Sequence, residues 1–343
     1  MKTFAIPLTT LLLASCAEPY PVGGPVQMAH GSEGTLLVAN RRGASLSRID
    51  IANGEETHRV ETCENPHELT VSPDEAFVLV ACYSGREVQF YRTETLASAG
   101  AIGLGANARV HSAIWHPGGV IVAGAEGRGS LYRIDAEMVN GFVHHYYTFE
   151  EIDAPTGTES SPGPHMVTVS PDATQAWGTI IPTGELVRYD IVGLEVLNRR
   201  TLGGQVEALA LSPDGETLWV GSNADAKIYR LDAETLETEA EIAVGDVPIR
   251  IASHPSGDYV VTSNFGGGDI SVVDTASNEV VRAITVSGSR DAVQVTLVFN
   301  KNGTRLYAAE TANDRIAEID FASGAVLRHF RTGPGGDGLA VID

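Results

Sequence analysis

The run Glu207-Ala-Leu-Ala-Leu-Ser-Pro-Asp-Gly-Glu-Thr-Leu-Trp-Val-Gly-Ser-Asn223 decides the fold. Two short apolar segments flank Ser212-Pro-Asp-Gly215, in which proline presets one turn dihedral and glycine accepts a positive φ. Short apolar runs bounded by turn residues read as strands. Lys227-Ile-Tyr-Arg-Leu-Asp232 and Glu239-Ala-Glu-Ile-Ala-Val244 follow as two alternating segments, and then the pattern restarts. Four strands and a restart make one blade of a propeller.

Working outward, the turn position recurs at Pro73, Pro117, Pro171, Pro213, Pro255 and Lys301. The interval is about 40–45 residues, the propeller period, apart from one longer gap between Pro117 and Pro171. A seventh unit is split. Thr35-Leu-Leu-Val-Ala-Asn40 matches the second strand and Leu46-Ser-Arg-Ile-Asp50 the third, without a local innermost strand. Asp337-Gly-Leu-Ala-Val-Ile-Asp343 aligns with 207–213 and supplies it. The expectation is an all-β, seven-bladed β-propeller over 30–343, one domain, with its ring closed by the C-terminal strand. Closure removes the free sheet edges that invite aggregation.

Ser-Pro-Asp-Gly turns followed by strands such as Leu218-Trp-Val-Gly-Ser-Asn223 and Tyr259-Val-Val-Thr-Ser-Asn264 resemble the YVTN-repeat β-propeller family. The resemblance covers about residues 30 to 343 and extends distantly to lactonase-type propellers. It implies the fold, with surface proteins, binding modules and hydrolases all among the relatives. No Gly-His…Trp-Asp pairs are present, so the WD40 class fits less well.

One repeat position carries the chemistry. Six residues before the turn position stand His67, His111 and His165 in three consecutive repeats, then Glu207, and Asp337 in the C-terminal strand. In a closed ring these positions face a common axis. Three imidazoles with carboxylates suit a transition metal, zinc, copper or iron. Arginines gather at the same expected rim: Arg41, Arg42, Arg86, Arg109, Arg250 and Arg290. Arg109, Arg250 and Arg290 are candidate contacts for a small anionic ligand. The lactonase resemblance gives His165 and Glu207 acid–base roles, with Arg250 or Arg109 holding a carboxylate. The other histidines have plainer expected places. His116 and His254 precede turn residues, His58 and His329 lie on solvated outer strands, and His144 and His145 point to opposite faces of one strand.

The N-terminus reads as an export signal over 1–15: Lys2, an apolar stretch from Phe4 to Leu13, then Leu13-Ala-Ser-Cys16. That last segment resembles the bacterial lipobox, which makes Cys16 the lipid-bearing first residue of a tether over 16–29. Ala17 after it favours the outer membrane by the same resemblance. The expected setting is therefore the bacterial cell envelope, as a monomer held to a membrane by lipid, with an envelope protein or a small anion as partner. The formal net charge of −21 and the lack of a basic stripe argue against nucleic acid. The two remaining cysteines, Cys63 and Cys82, are expected to bridge in an oxidising compartment, Cys82 occupying the slot taken elsewhere by Asn40, Asn223 and Asn264. The alternative makes one of them a thiolate metal ligand near His67. Asp50, Asp135, Asp190, Asp232, Asp274 and Asp320 end third strands, where aspartate caps its own turn. A Pro/Gly/Ser/Thr-rich loop from Glu150 to Pro164 leads into His165 as a candidate lid. Three function classes stay open: a binding platform, a metal site, and a lactonase-type enzyme.

Overall fold

Strand 217–222 is buried along its whole length, apart from half-buried Thr217, while strand Thr238–Ala243 is half exposed. The contrast repeats in other blades. Thr35–Asn40, Phe77–Cys82 and Val120–Ala125 are buried at all positions, whereas Glu56–Glu61 is almost wholly exposed. A second strand has a neighbouring blade on each face, so it reads as a continuous apolar run, and an outer strand does not. The computed structural model describes residues 33–153 and 163–342, without the side chains of 145–151 and 153. The signal segment, Cys16, the tether and most of the candidate lid lie outside the described residues.

Seven four-stranded antiparallel sheets form the molecule. Blade 1 takes Gly336–Ile342 as its innermost strand, then Thr35–Asn40, Ser45–Asp50 and Glu56–Glu61. Leu339 pairs opposite Val38 and Val341 opposite Leu36, so the C-terminal strand closes the ring as expected. Inner strands meet in order around the axis: Pro66–Val71, Val110–Trp115, Val167–Val169, Val206–Leu211, Pro248–Ser253, Gln294–Phe299, and back to blade 1.

The core is distributed between blades. Phe77, Leu79 and Phe90 of blade 2 pack with Val110, Trp115 and Tyr132 of blade 3, and Tyr307, Ile316 and Phe330 of blade 7 with Leu36, Val38 and Leu339 of blade 1. Each fully buried Leu, Ile or Phe contributes roughly 1.5–3 kcal/mol of transfer free energy. The indole N–H of buried Trp177 donates across a blade boundary to the carbonyl of Ala233 at 3.0 Å.

Blade 3 departs from the repeat. Its third strand does not end at Asp135 but continues as Ser130–Val139 and returns as Phe142–Asp153. Asn140 and Gly141, at φ 52° and 80°, make the two-residue turn between them, a conformation that suits Asn-Gly. Asp135 accordingly lies inside the strand and pairs with Arg133 at 3.1 Å. The other five aspartates do cap their turns; Asp232 Oδ1 accepts from the backbone N–H groups of Glu234 and Thr235 at 3.0 and 2.7 Å.

Two backbone devices aim side chains at the axis. Two residues before the repeat position, the chain is left-handed in six blades: Asn65, Arg109, Gln205, Val247, Val293 and Gly335. The inner strand then bulges against its neighbour, between Pro66 and Leu69, Val110 and Ala113, Val206 and Leu209, Pro248 and Arg250, and Gln294 and Leu297. A bulge breaks strict alternation, so two successive residues can reach the same side. His67 with Glu68, and Ile249 with Arg250, are placed in this way. Gly338 is needed for a related reason, since a Cβ there would sit 1.7 Å from the His67 carbonyl oxygen.

Candidate functional site at the channel mouth

The three histidines converge. The ring centroids of His67 and His111 are 3.9 Å apart and those of His111 and His165 are 3.5 Å apart, and all three residues are buried. Imidazoles stacked this closely cannot all be protonated, because like charges would repel in a desolvated site.

Each histidine has a different electrostatic setting. His165 is clamped, with Nδ1 2.9 Å from Glu126 Oε2 and Nε2 3.2 Å from Glu207 Oε1. Burial pulls its pKa down, but the two carboxylates outweigh burial and the net shift is upward. For His111, burial first, then the charges of His165, His67, Arg250 and Arg41, push the pKa well below the usual histidine value. Its Nε2 lies 3.3 Å from the Arg250 Nη2. A guanidinium only donates, so this nitrogen holds the lone pair and His111 is neutral. His67 Nδ1 lies 3.3 Å from Asp337 Oδ2 and 3.7 Å from Glu68 Oε1, without hydrogen-bond geometry to either.

Arg250 is the hub beneath them. It is 4% exposed and grips Glu68 Oε1 through Nε and Nη2 at 3.1 and 3.0 Å, and Glu207 Oε1 through Nη1 at 2.9 Å. Burial alone would raise the pKa of both carboxyls. Arg250 and His67 reverse this for Glu68, and His165 and Arg250 for Glu207, so each ends at about 2. Asn223 donates to Glu207 Oε2 at 2.7 Å. Asp337 is fully buried, 3.2 Å from Arg41 Nη1. Arg109 stands at the edge of the mouth, over the Tyr83 ring at 4.8 Å, bonded to the Tyr83 hydroxyl and 3.4 Å from Glu126. Arg290 sits over Phe265 at 5.1 Å. Arg42 pairs with Asp314 at 2.6 Å.

Four participants were absent from the sequence reading as site residues: Glu68, Tyr83, Glu126 and Asn223. Three share one signal. They follow directly on second strands ending at Cys82, Ala125 and Ser222, as Arg41 and Phe265 follow Asn40 and Asn264. This makes a second ring of repeat positions above the histidine ring. It also corrects the slot of Asn223. Ser222 pairs with Lys227 as Asn264 pairs with Asp269, so Asn223 lies one residue further on, in the mouth. Glu68 was hidden because simple alternation would turn it away from His67.

Cys63 and Cys82 are disulfide-bonded, with Cα atoms 5.9 Å apart, and neither is a thiolate ligand. Cys82 pairs with Pro66 and precedes Tyr83, so the bridge fastens the segment that carries His67 and Tyr83. His116 and His254 hydrogen-bond within their turns, to Gly118 and Ser256. His329 is exposed on an outer strand as expected, with its Nε2 3.0 Å from buried Glu310.

The histidines, Glu207, Arg250, Arg41, Tyr83, Ile249, Phe265, Val293 and Val295 enclose a cavity of about 220 Å³. Among the described residues, His67, Glu68 and His111 offer ligand atoms lying within 4.8 Å of one another. His67 Nδ1, His111 Nδ1 and Asp337 Oδ2 are buried without a hydrogen-bond partner. Buried polar groups are nearly always paired, so the two unpaired imidazole nitrogens mark a place where a ligand or ion belongs, while Asp337 Oδ2 is offset by Arg41 at 3.2 Å.

Fold and mouth together define a seven-bladed β-propeller with a charged, largely buried pocket at one end of its central channel. No family model matches the chain. Solved structures do. The hydrazine synthase of Kuenenia stuttgartiensis superposes with TM-score 0.64 at 16% identity, over 81% of this chain and 95% of that one. The dihydro-heme d1 dehydrogenase NirN, solved in complex with DHE, superposes with TM-score 0.63 at 15% identity, over 90% of this chain and 75% of that one. At such identities the likeness is one of fold, and fold does not carry function.

Proposed function

We propose that this protein is a lipid-anchored binding protein of the bacterial cell envelope, of the YVTN-repeat kind, whose channel mouth holds a transition-metal ion on His67, Glu68 and His111, with Asp337 beside them. The observation that carries the reading is the set of donors within 4.8 Å of one another, His67 and His111 buried and Glu68 half-buried, together with the unpaired Nδ1 of His67; His111 would offer its Nε2 lone pair, which now faces Arg250. Mixed imidazole and carboxylate donors suit zinc, copper or iron. Metal–nitrogen bonds of about 2.0–2.1 Å require the donors to draw together, and Glu68 to give up part of its hold on Arg250. The wider cluster tolerates the added charge, since Glu68, Glu126, Glu207 and Asp337 face Arg41, Arg109 and Arg250. Cys16 provides the anchor, and Ala17 favours the outer membrane.

Elemental analysis and zinc titration of the purified chain test the metal site. The expected result is about one ion per chain, with His67→Ala and His111→Ala each weakening binding by about 100-fold or more. A wild-type protein that takes up no zinc, copper or iron overturns it. Cys16→Ser should release the protein from membranes.

A second reading is favoured by His165, which has a carboxylate at each ring nitrogen. In a lactonase-type enzyme acting on a small anionic substrate, His165 and Glu207 would exchange the proton. Loss of a hydrolytic activity in His165→Gln with metal content unchanged would favour this reading.

A further inference from the structure

The mouth is two-sided. Blades 1 to 5 line it with charged and polar groups, whereas blades 6 and 7, apart from Arg250, present Ile249, Phe265, Val293 and Val295 to the same cavity. The metal site uses none of this wall. Phe265 carries the guanidinium of Arg290 over its ring at 5.1 Å. Arg41, Arg42, Arg109 and Arg250 each hold a carboxylate. Arg290 is exposed and, among the described residues, holds none. The wall is therefore an open apolar surface with an exposed guanidinium beside its Phe265 edge.

Size and charge narrow what fits. A cavity of about 220 Å³ has the volume of roughly seven waters at about 30 Å³ each, which corresponds to an organic molecule of about one ring. A planar carboxylate matches the two-pronged guanidinium. A doubly charged phosphate would instead bring one negative charge more than a carboxylate beside Glu207, whose carboxyl also lines the cavity.

We propose that the mouth binds a small organic monocarboxylate with an apolar body about one ring in size, the body lying on Ile249, Phe265, Val293 and Val295 and the carboxylate meeting Arg290. The proposal rests on the mouth being the binding site and is independent of the metal. Calorimetric titration of the purified chain with benzoate, acetate and benzylamine tests it, alongside zinc titration of the same preparation. Benzoate should bind, with acetate and benzylamine each at least about tenfold weaker, and Arg290→Gln should weaken benzoate about tenfold. Equal benzoate affinity in wild type and Arg290→Gln, or benzylamine binding as tightly as benzoate, overturns the proposal. A protein that takes up zinc but no benzoate overturns it and leaves the metal reading standing. Arg290-dependent benzoate binding in a protein that takes up no zinc, copper or iron supports it and removes the metal reading.

Discussion

The two rims of the ring use the same side chains for opposite ends. At the rim of the Ser-Pro-Asp-Gly turns, carboxylates close on their own neighbours. Asp74, Asp172 and Asp214 accept from the serine two residues before them, and Asp232 from backbone two and three residues ahead. At the mouth they reach across blades. Glu126 of blade 3 meets His165 of blade 4, and Glu207 of blade 5 meets both His165 and Arg250 of blade 6. Glu68 of blade 2 meets Arg250 across the axis, 182 residues away in sequence. The turn aspartates of the first rim finish a blade, although exposed Lys301 of blade 7 does pair there with Glu75 of blade 2; the second rim exists only when the ring is complete. Function is expected where the bonds are non-local, because only there do groups from different blades share one desolvated space.

The largest effect should come from removing closure itself. Deleting 336–343 takes the innermost strand from blade 1, exposes the edge of Thr35–Asn40, strips Leu339 from its contacts and removes Asp337. The expected outcome is loss of cooperative unfolding, or aggregation, read by calorimetry and light scattering. An unchanged melting temperature would mean that the mouth does not depend on the ring.

Next in size is a direct comparison of the rims. Arg250→Met should cost about 3–5 kcal/mol, because it leaves Glu68 and Glu207 buried without their cation. Asp232→Ala removes turn bonds at a half-buried site and should cost about 1 kcal/mol. Denaturant unfolding of both variants decides the matter; equal costs would erase the distinction between the rims.

The same contrast has a pH signature. The carboxyls of Glu68 and Glu207 are held at about 2, below their usual 4.5. A depressed folded-state pKa contributes stability that is fully present above the unfolded value and is lost as pH falls through the folded one. Stability should therefore decline between about pH 4.5 and pH 2. His165 acts in the opposite sense. Its raised pKa contributes stability below 6.5 that is lost as pH rises through the folded value. In Arg250→Met the acid limb should flatten, since the charge that holds both carboxyls down is gone. An unaltered acid limb would assign the acid sensitivity to other groups.

What was legible in the sequence follows the same division. Turns, strand order, the split blade and the histidine column depend on local chemistry repeated at a fixed period, and all could be read. Within the mouth, His67, His111, His165, Glu207 and Asp337 were legible as a set because they share one repeat position. Glu68 sits one residue later, and it is the bulge that turns it inward, a backbone event with no residue signature; Arg250, turned inward the same way, was legible only as one of several arginines at the rim. The reach of Arg250 to Glu68 spans the ring and cannot be inferred from either blade alone. Tyr83, Glu126 and Asn223 were within reach through the second-strand register, but their side chains differ in type, so the column does not announce itself. Asp135 failed for a local reason: Asn140-Gly141 offers a better hairpin turn a few residues on.

The smallest expected effect concerns the backbone device that launches the inner strands. The left-handed position is filled by Asn65 in blade 2 and Gly335 in blade 1, both suited to it, but by Val247 in blade 6, at φ 55°. A β-branched residue there is strained by about 1–2 kcal/mol, while asparagine enters this region readily. Val247 is half-buried and does not line the cavity, and its carbonyl would still accept the Phe265 N–H at 2.9 Å. Val247→Asn should therefore raise stability by about 0.5 kcal/mol after some lost apolar contact, seen as a small rise in denaturant midpoint at constant slope. The reverse change in blade 2, Asn65→Val, should cost more than this gain, because Asn65 Oδ1 also accepts from Arg41 Nε at 3.1 Å and so steadies the cation facing Asp337. If both substitutions were neutral, the left-handed step would be a tolerated irregularity. Opposite signs would make it part of how each blade delivers its side chains to the mouth.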